Sequence, residues 1–117
     1  MVTIDTFKQL VLKFPEVYEA PHFDKASFRV KKKIFTTLDT VNNQACIRLS
    51  QIDQNVFSSY DKSTFFPVPN KWGKLGWTFI NLKKVKKAML VDALTTSYCE
   101  IAPKKLSALV RTAESEE

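Results

Sequence analysis

The order of apolar and polar positions divides the chain into short elements. Residues 3 to 14 place Phe7, Leu10, Val11 and Phe14 at i, i+3, i+4 and i+7, which predicts a helix with one apolar face. Thr3 offers an N-cap hydroxyl. Pro15 stops the helix, because the residue before a proline is pushed out of helical dihedrals. From residue 17 to 49 the period shortens to two. In SFRV, Phe28 and Val30 face one way and Arg29 the other; KIFTTL follows, rich in strand formers. Lys31 and Lys32 stand where a two-residue hairpin turn is needed, a place that favours residues tolerant of positive φ. NNQ at 42 to 44 marks a second turn. ACIRLS then alternates again, with Ala45, Ile47 and Leu49 inward and Arg48 outward.

Ser50 opens a second helix with the capping pair Ser50 and Asp53, and Ile52, Val56 and Tyr60 are expected as its buried stripe. FFPV (65–68) and GWTFIN (76–81) read as two further strands joined by a long hairpin loop, or wing, with Pro67 marking an edge strand. Asn81 is expected to cap a third helix over 82–99, whose face is Leu82, Val85, Met89 and Ala93, widened by Leu90 and Leu94. A last short helix begins at Pro103. Strands joined by short turns must be antiparallel, so the expected class is α+β. It has two layers: an antiparallel sheet of about five strands with helices on one face, in the order α, three or four β, α, two β, α, α.

A length of 117 residues fits one domain, expected over 1–112, with the acidic residues 113–117 as a frayed tail. No apolar run is long enough for a bilayer and the N-terminus lacks a secretory pattern, so a cytoplasmic protein is expected. Cys46 and Cys99 fit neither a metal spacing nor a redox pair and read as small buried hydrophobes. His22 is the single histidine, and beside Asp24 it reads as a structural residue near a strand end. No nucleophile elbow, zinc motif or P-loop is present, and Gly73-x-x-Gly76 joins strands where a KH loop joins helices. No enzyme activity, metal or cofactor is therefore expected.

Charge changes this picture. The net charge is +6, yet its distribution is uneven. Between Asp61 and Asp92 no acidic residue occurs. That interval holds Lys62, Lys71, Lys74, Lys83, Lys84, Lys86 and Lys87, leaving 11 basic against 12 acidic residues elsewhere among the 18 and 12 of the whole chain. Both glycines and both tryptophans also fall inside it, at Trp72, Gly73, Gly76 and Trp77. Asn70, Pro67 and Pro69 shape that loop. Trp77 reads as a core strand residue, whereas Trp72 at the loop centre is a candidate for stacking on a base. Lys83, Lys84, Lys86 and Lys87 would occupy the first two turns of the third helix, where cations oppose the helix dipole and an anion would relieve them.

Several of these stretches resemble the MmcQ/YjbR family of small bacterial proteins. They are Pro21-His22-Phe23, Phe28-Arg29-Val30, Lys33-Ile34-Phe35, the run Val68 to Lys74, Gly76-Trp77-Thr78, Asp92-Ala93-Leu94 and Tyr98. The resemblance covers nearly the whole chain, and PNKWGK-x-GWT is its most specific part. It implies a two-layer fold similar to type III secretion chaperones and frataxin-like proteins, DNA binding through a double-wing arrangement, and no defining enzymatic activity. One departure is Lys31-Lys32, where the family often carries glycine or another turn residue. The function expected is thus non-catalytic nucleic-acid binding, DNA over RNA, with no membrane partner. Phosphates would be met by Lys71, Lys74, Lys83, Lys84, Lys86 and Lys87, with Arg29, Lys31 and Lys32 on a second wing and Trp72 stacking. The alternatives are a protein-interaction module anchored by the wing aromatics, and a small-ligand protein or enzyme with His22, Asn70 and Trp72 lining one pocket.

Overall fold

Thr3 takes extended dihedrals and its hydroxyl accepts the Thr6 N–H at 3.2 Å, which starts α1 (Ile4–Leu12) in the computed structural model, where residues 1–115 are described. Phe7 and Val11 are buried beneath it, and the Phe7 ring meets Phe28 edge-on with centroids 6.0 Å apart. Past the helix, Phe14 packs between Phe35 and Tyr98 at 5.3 and 5.0 Å. The Tyr98 hydroxyl donates to the Pro15 carbonyl at 2.8 Å, and burial pushes the phenol up to about 12.

Four strands follow as a meander: β1 (Tyr18–His22), β2 (Lys25–Val30), β3 (Lys33–Asp39) and β4 (Gln44–Arg48). The β2–β3 turn is Lys31-Lys32, with φ of 49° and 68°, so two lysines do hold the left-handed pair that a tight hairpin demands. The β3–β4 turn ends at Asn43, φ 50°, and is fastened by Asp39, whose carboxylate accepts from Val41 N, Asn42 N and Asn42 Nδ2. These bonds, that from the Asn42 side chain foremost, hold its pKa below the usual carboxylate value.

Ser50 caps α2 (Gln51–Tyr60) as expected, accepting from Asp53 N and donating to Asp53 Oδ2. The face of α2 is a correction. Ile52, Val56 and Tyr60 are 76%, 59% and 65% exposed, and the helix instead buries Gln54 and Phe57. Phe57 packs on Phe65 at 5.1 Å. The Gln54 amide donates to Gly73 O at 2.9 Å and Thr78 Oγ1 at 3.1 Å, with Trp77 O at 3.3 Å. A polar side chain can take the inward position because backbone acceptors satisfy it there.

The chain then forms β5 (Phe65–Pro67), a one-turn α3 (Lys71–Lys74), β6 (Trp77–Asn81), α4 (Lys87–Ile101) and α5 (Lys104–Ser115). The six strands are all antiparallel in the order β1-β2-β3-β4-β6-β5, one more than expected, with β5 and its Pro67 at an edge. The expected wing is corrected to a compact connection folded around α3. The third helix is corrected too: it starts at Lys87, not at 82. Asn81 Oδ1 accepts Lys83 N and its carbonyl accepts Lys84 N and Val85 N, closing a turn that seats Leu82 and Val85 in the core. Lys86 stays extended at the N-cap. Of the segment 113–117 expected to fray, residues 113–115 close α5 and 116–117 lie outside the described residues.

The register sorts the sheet into two faces. Phe28, Leu38, Ala45, Ile47, Ile80 and Phe65 share the face that α1, α2 and α4 cover, and all are buried. A bulge between Phe28 and Arg29 lets Phe35 and Thr36 both turn inward. No helix of the described residues is long and apolar enough to cross a membrane.

Candidate nucleic-acid interface

The opposite face of the sheet has, among the described residues, only the one-turn α3 standing at it. By register it carries Tyr18 and His22 from β1, Lys25 and Arg29 from β2, Thr37 and Asp39 from β3, Cys46 and Arg48 from β4, Trp77 and Phe79 from β6 and Phe66 from β5. Trp77 is therefore only partly buried, on the open face and not in the core as its strand position suggested. Phe66 and Phe79 pack ring to ring at 5.7 Å. A groove of about 550 Å³ crosses this face, floored by Ile34, Thr37, Cys46, Trp77 and Phe79. Its walls are the β1–β2 turn, with His22 and Phe23, and α3, with Trp72; Lys25 lies inside it.

Local chemistry fixes both walls. Asn70 caps α3, its Oδ1 accepting the Trp72 N–H at 2.9 Å, and Trp72 stands 50% exposed with the Lys71 ammonium 5.5 Å from its ring centroid. Gly73 is buried where a Cβ would collide with the Val68 carbonyl, and Gly76, at φ +104°, where one would collide with the Leu49 carbonyl. The Gln51 amide also reaches the Lys74 carbonyl, so α2 holds α3 from beneath. On the other wall Phe23 sits at φ 58° and is 93% exposed, its ring meeting His22 edge-on with centroids 4.8 Å apart. At the floor, burial pushes the Cys46 thiol up to about 12.

The residues read from the sequence as phosphate ligands do not form one patch. Lys71, Lys74, Lys31, Lys32 and Arg29 lie at the end of the sheet where β6 begins, joined there by Arg48. Lys83, Lys84, Lys86 and Lys87 follow the other end of β6, about 14 Å away at ~3.4 Å per residue, near Lys62, since Asn81 N bonds Thr64 O. Lys83 and Lys84 precede α4, and only Lys86 and Lys87 meet its N-terminus, so the opposition of four lysines to the helix dipole is reduced to two. Lys31 is paired with Glu16 at 3.0 Å. His22 and Asn70 line different depressions, Asn70 facing a shallow one with Pro67, Lys71 and Lys74.

Sequence reasoning missed Lys25, Arg48, Phe23 and Phe79. The signal for Phe79 was present: in Trp77-Thr78-Phe79-Ile80 large apolar side chains fall on both faces of a strand, which requires a second apolar surface. Among the described residues no three His, Cys, Asp or Glu come together as a metal site would need.

The molecule is thus an antiparallel sheet with helices on one face and an aromatic, cation-bearing groove on the other. The YjbR family model matches residues 12–100, and the chain belongs to that family. Among solved structures, the Deinococcus radiodurans protein DR2400, with a DUF419 domain, is similar in fold. Its TM-score is 0.74 at 19% identity, over 86% of this chain and 79% of that one. No curated protein matches the chain.

Proposed function

We propose that this protein binds nucleic acid, DNA over RNA, without catalysis, by laying it across the open face of the sheet. The observation that carries this reading is the groove itself, an aromatic floor between two basic ends. Lysines and arginines meet phosphates as charges, and aromatic faces accept bases of any identity, so binding is weakly sequence-specific.

A salt titration by fluorescence anisotropy tests it. With about five phosphates engaged, log K falls against log salt with a slope of about −4.5 on duplex or about −3.5 on a single strand. Glutamine at Lys71 and Lys74, or at Lys83 and Lys84, flattens the slope in proportion to the charges removed. Absence of binding at ~50 mM salt, where such contacts are strong, defeats the proposal. A second reading, a protein-interaction module, is favoured by one observation: the apolar stripe Ile52, Val56 and Tyr60 stands in solvent along α2.

A further inference from the structure

We infer that the groove selects single-stranded DNA, taking unpaired bases between the Phe23 and Trp72 walls. The inference rests on the nucleic-acid reading above and narrows it. In a duplex each base face is covered by its stacked neighbours, so an aromatic wall has nothing to stack on unless the strand is unpaired. The groove, about 550 Å³, has the dimensions of a small-ligand site. That volume has room for unpaired bases and none for a double helix.

Phe23 gives the independent observation. A bulky residue at positive φ is strained, and an aromatic ring almost wholly in water contributes nothing to the core. Other turns of this chain also hold positive φ without glycine, but at Glu16, Lys31 and Lys32 the side chain is charged. A large apolar ring kept in water, lining the same groove as a second exposed ring, points to use in binding. His22 beside it adds a flat edge.

Charge agrees. Lys25, Arg29 and Arg48 lie on the open face and Lys71 at the rim beside Trp72. Against them the same face presents Asp39, whose carboxylate is committed to the turn at Asn42, and Asp24 stands in the turn next to Phe23. Cations interleaved with rings are what a single strand needs, one group for each phosphate and one for each base. The choice of DNA follows from the lining. The polar groups of the lining are those of His22, Lys25, Thr37 and Cys46 and the indole N–H of Trp72 and Trp77; against Ile34, Val68 and Phe79 a ribose 2′-hydroxyl finds no partner. A hydroxyl desolvated there without a hydrogen bond disfavours RNA.

The test compares a labelled oligodeoxynucleotide of about a dozen residues, its duplex and the RNA of the same sequence by anisotropy at ~50 mM salt. The single DNA strand should bind about tenfold or more tighter than the duplex and tighter than the RNA. Phe23→Ala and Trp72→Ala should each weaken single-strand binding about 5- to 150-fold, and Phe23→Tyr should restore most of it. Both alanine variants should keep the wild-type circular dichroism, since neither side chain is in the core. A duplex bound as tightly as the single strand, with both alanine variants neutral, overturns this inference and leaves the nucleic-acid reading standing. RNA bound more tightly than DNA overturns the choice of DNA. No binding of any form removes the nucleic-acid reading itself.

Discussion

The connection between β5 and β6 and the other turns of the sheet solve opposite problems. Elsewhere the chain reverses without glycine: Glu16, Phe23, Lys31, Lys32 and Asn43 all hold positive φ. In the β5–β6 connection two glycines appear within four residues, yet Gly73 does not have positive φ. Both instead lie against a backbone carbonyl, Val68 for one and Leu49 for the other, where no Cβ fits. Glycine is used here for space before it is used for dihedral freedom. The exposed turns accept a modest backbone penalty; the buried one accepts no side chain at all.

This contrast is easily broken. Gly76→Ala should have the largest effect, about 3 kcal/mol or more, since it meets both the φ penalty and the Leu49 carbonyl. Gly73→Ala should follow closely on collision alone. Thermal melts measure both, and two unshifted midpoints would mean the connection needs no special backbone. Gln54→Leu should come next, at about 1–3 kcal/mol, because it strands the acceptors at Gly73 and Thr78; a denaturant titration reads it. The exposed turn should respond in the other direction. Asn at 31 with Gly at 32 fits the left-handed pair and should stabilise by about 1 kcal/mol, lessened by loss of the Lys31–Glu16 pair. The smallest effect belongs to Asp61, another glycine-free turn. Its carboxylate accepts from Ser63 Oγ, Thr64 Oγ1 and Ser63 N, which lowers its pKa from 3.8 to about 2. A depressed folded pKa gives stability that is whole above 3.8 and lost as pH falls through about 2. Melts of wild type and Asp61→Asn should therefore converge in acid.

How much was legible in the sequence follows from how far each signal acts. Caps are local, so Thr3 and Ser50 announced their helices and both were found. Strand alternation at Ala45, Ile47 and Leu49 also held, since one face of β4 is plainly the core. The face of α2 was misread because Gln54 is inward only by virtue of acceptors about 20 residues away, the Gly73 and Trp77 carbonyls and the Thr78 hydroxyl. α3 was read as an open loop because four residues carry no period, and its cap, Asn70, serves a loop equally well. Asn81 was recognised as a cap, but of a helix; it caps a turn, and Val85 must reach the core before α4 can start. The lysine block looked like one site because it is contiguous in sequence. β6 runs through its middle and carries the chain across the sheet, leaving lysines at both ends. The family was legible foremost from the loop between Val68 and Thr78, and in that loop Gly73 and Gly76 are the two positions where a backbone carbonyl leaves no room for a side chain.

The two outermost strands of the sheet have one residue type in common. β1 contains Pro21 and β5 ends on Pro67. A sheet bounded by free edges, with aromatic rings spread over one uncovered face, would ordinarily be a template for strands of other molecules and so for fibrous assembly. Proline has no N–H to offer an incoming strand, and β5 is only three residues long. The open face can therefore stay bare and available without the sheet growing sideways from chain to chain.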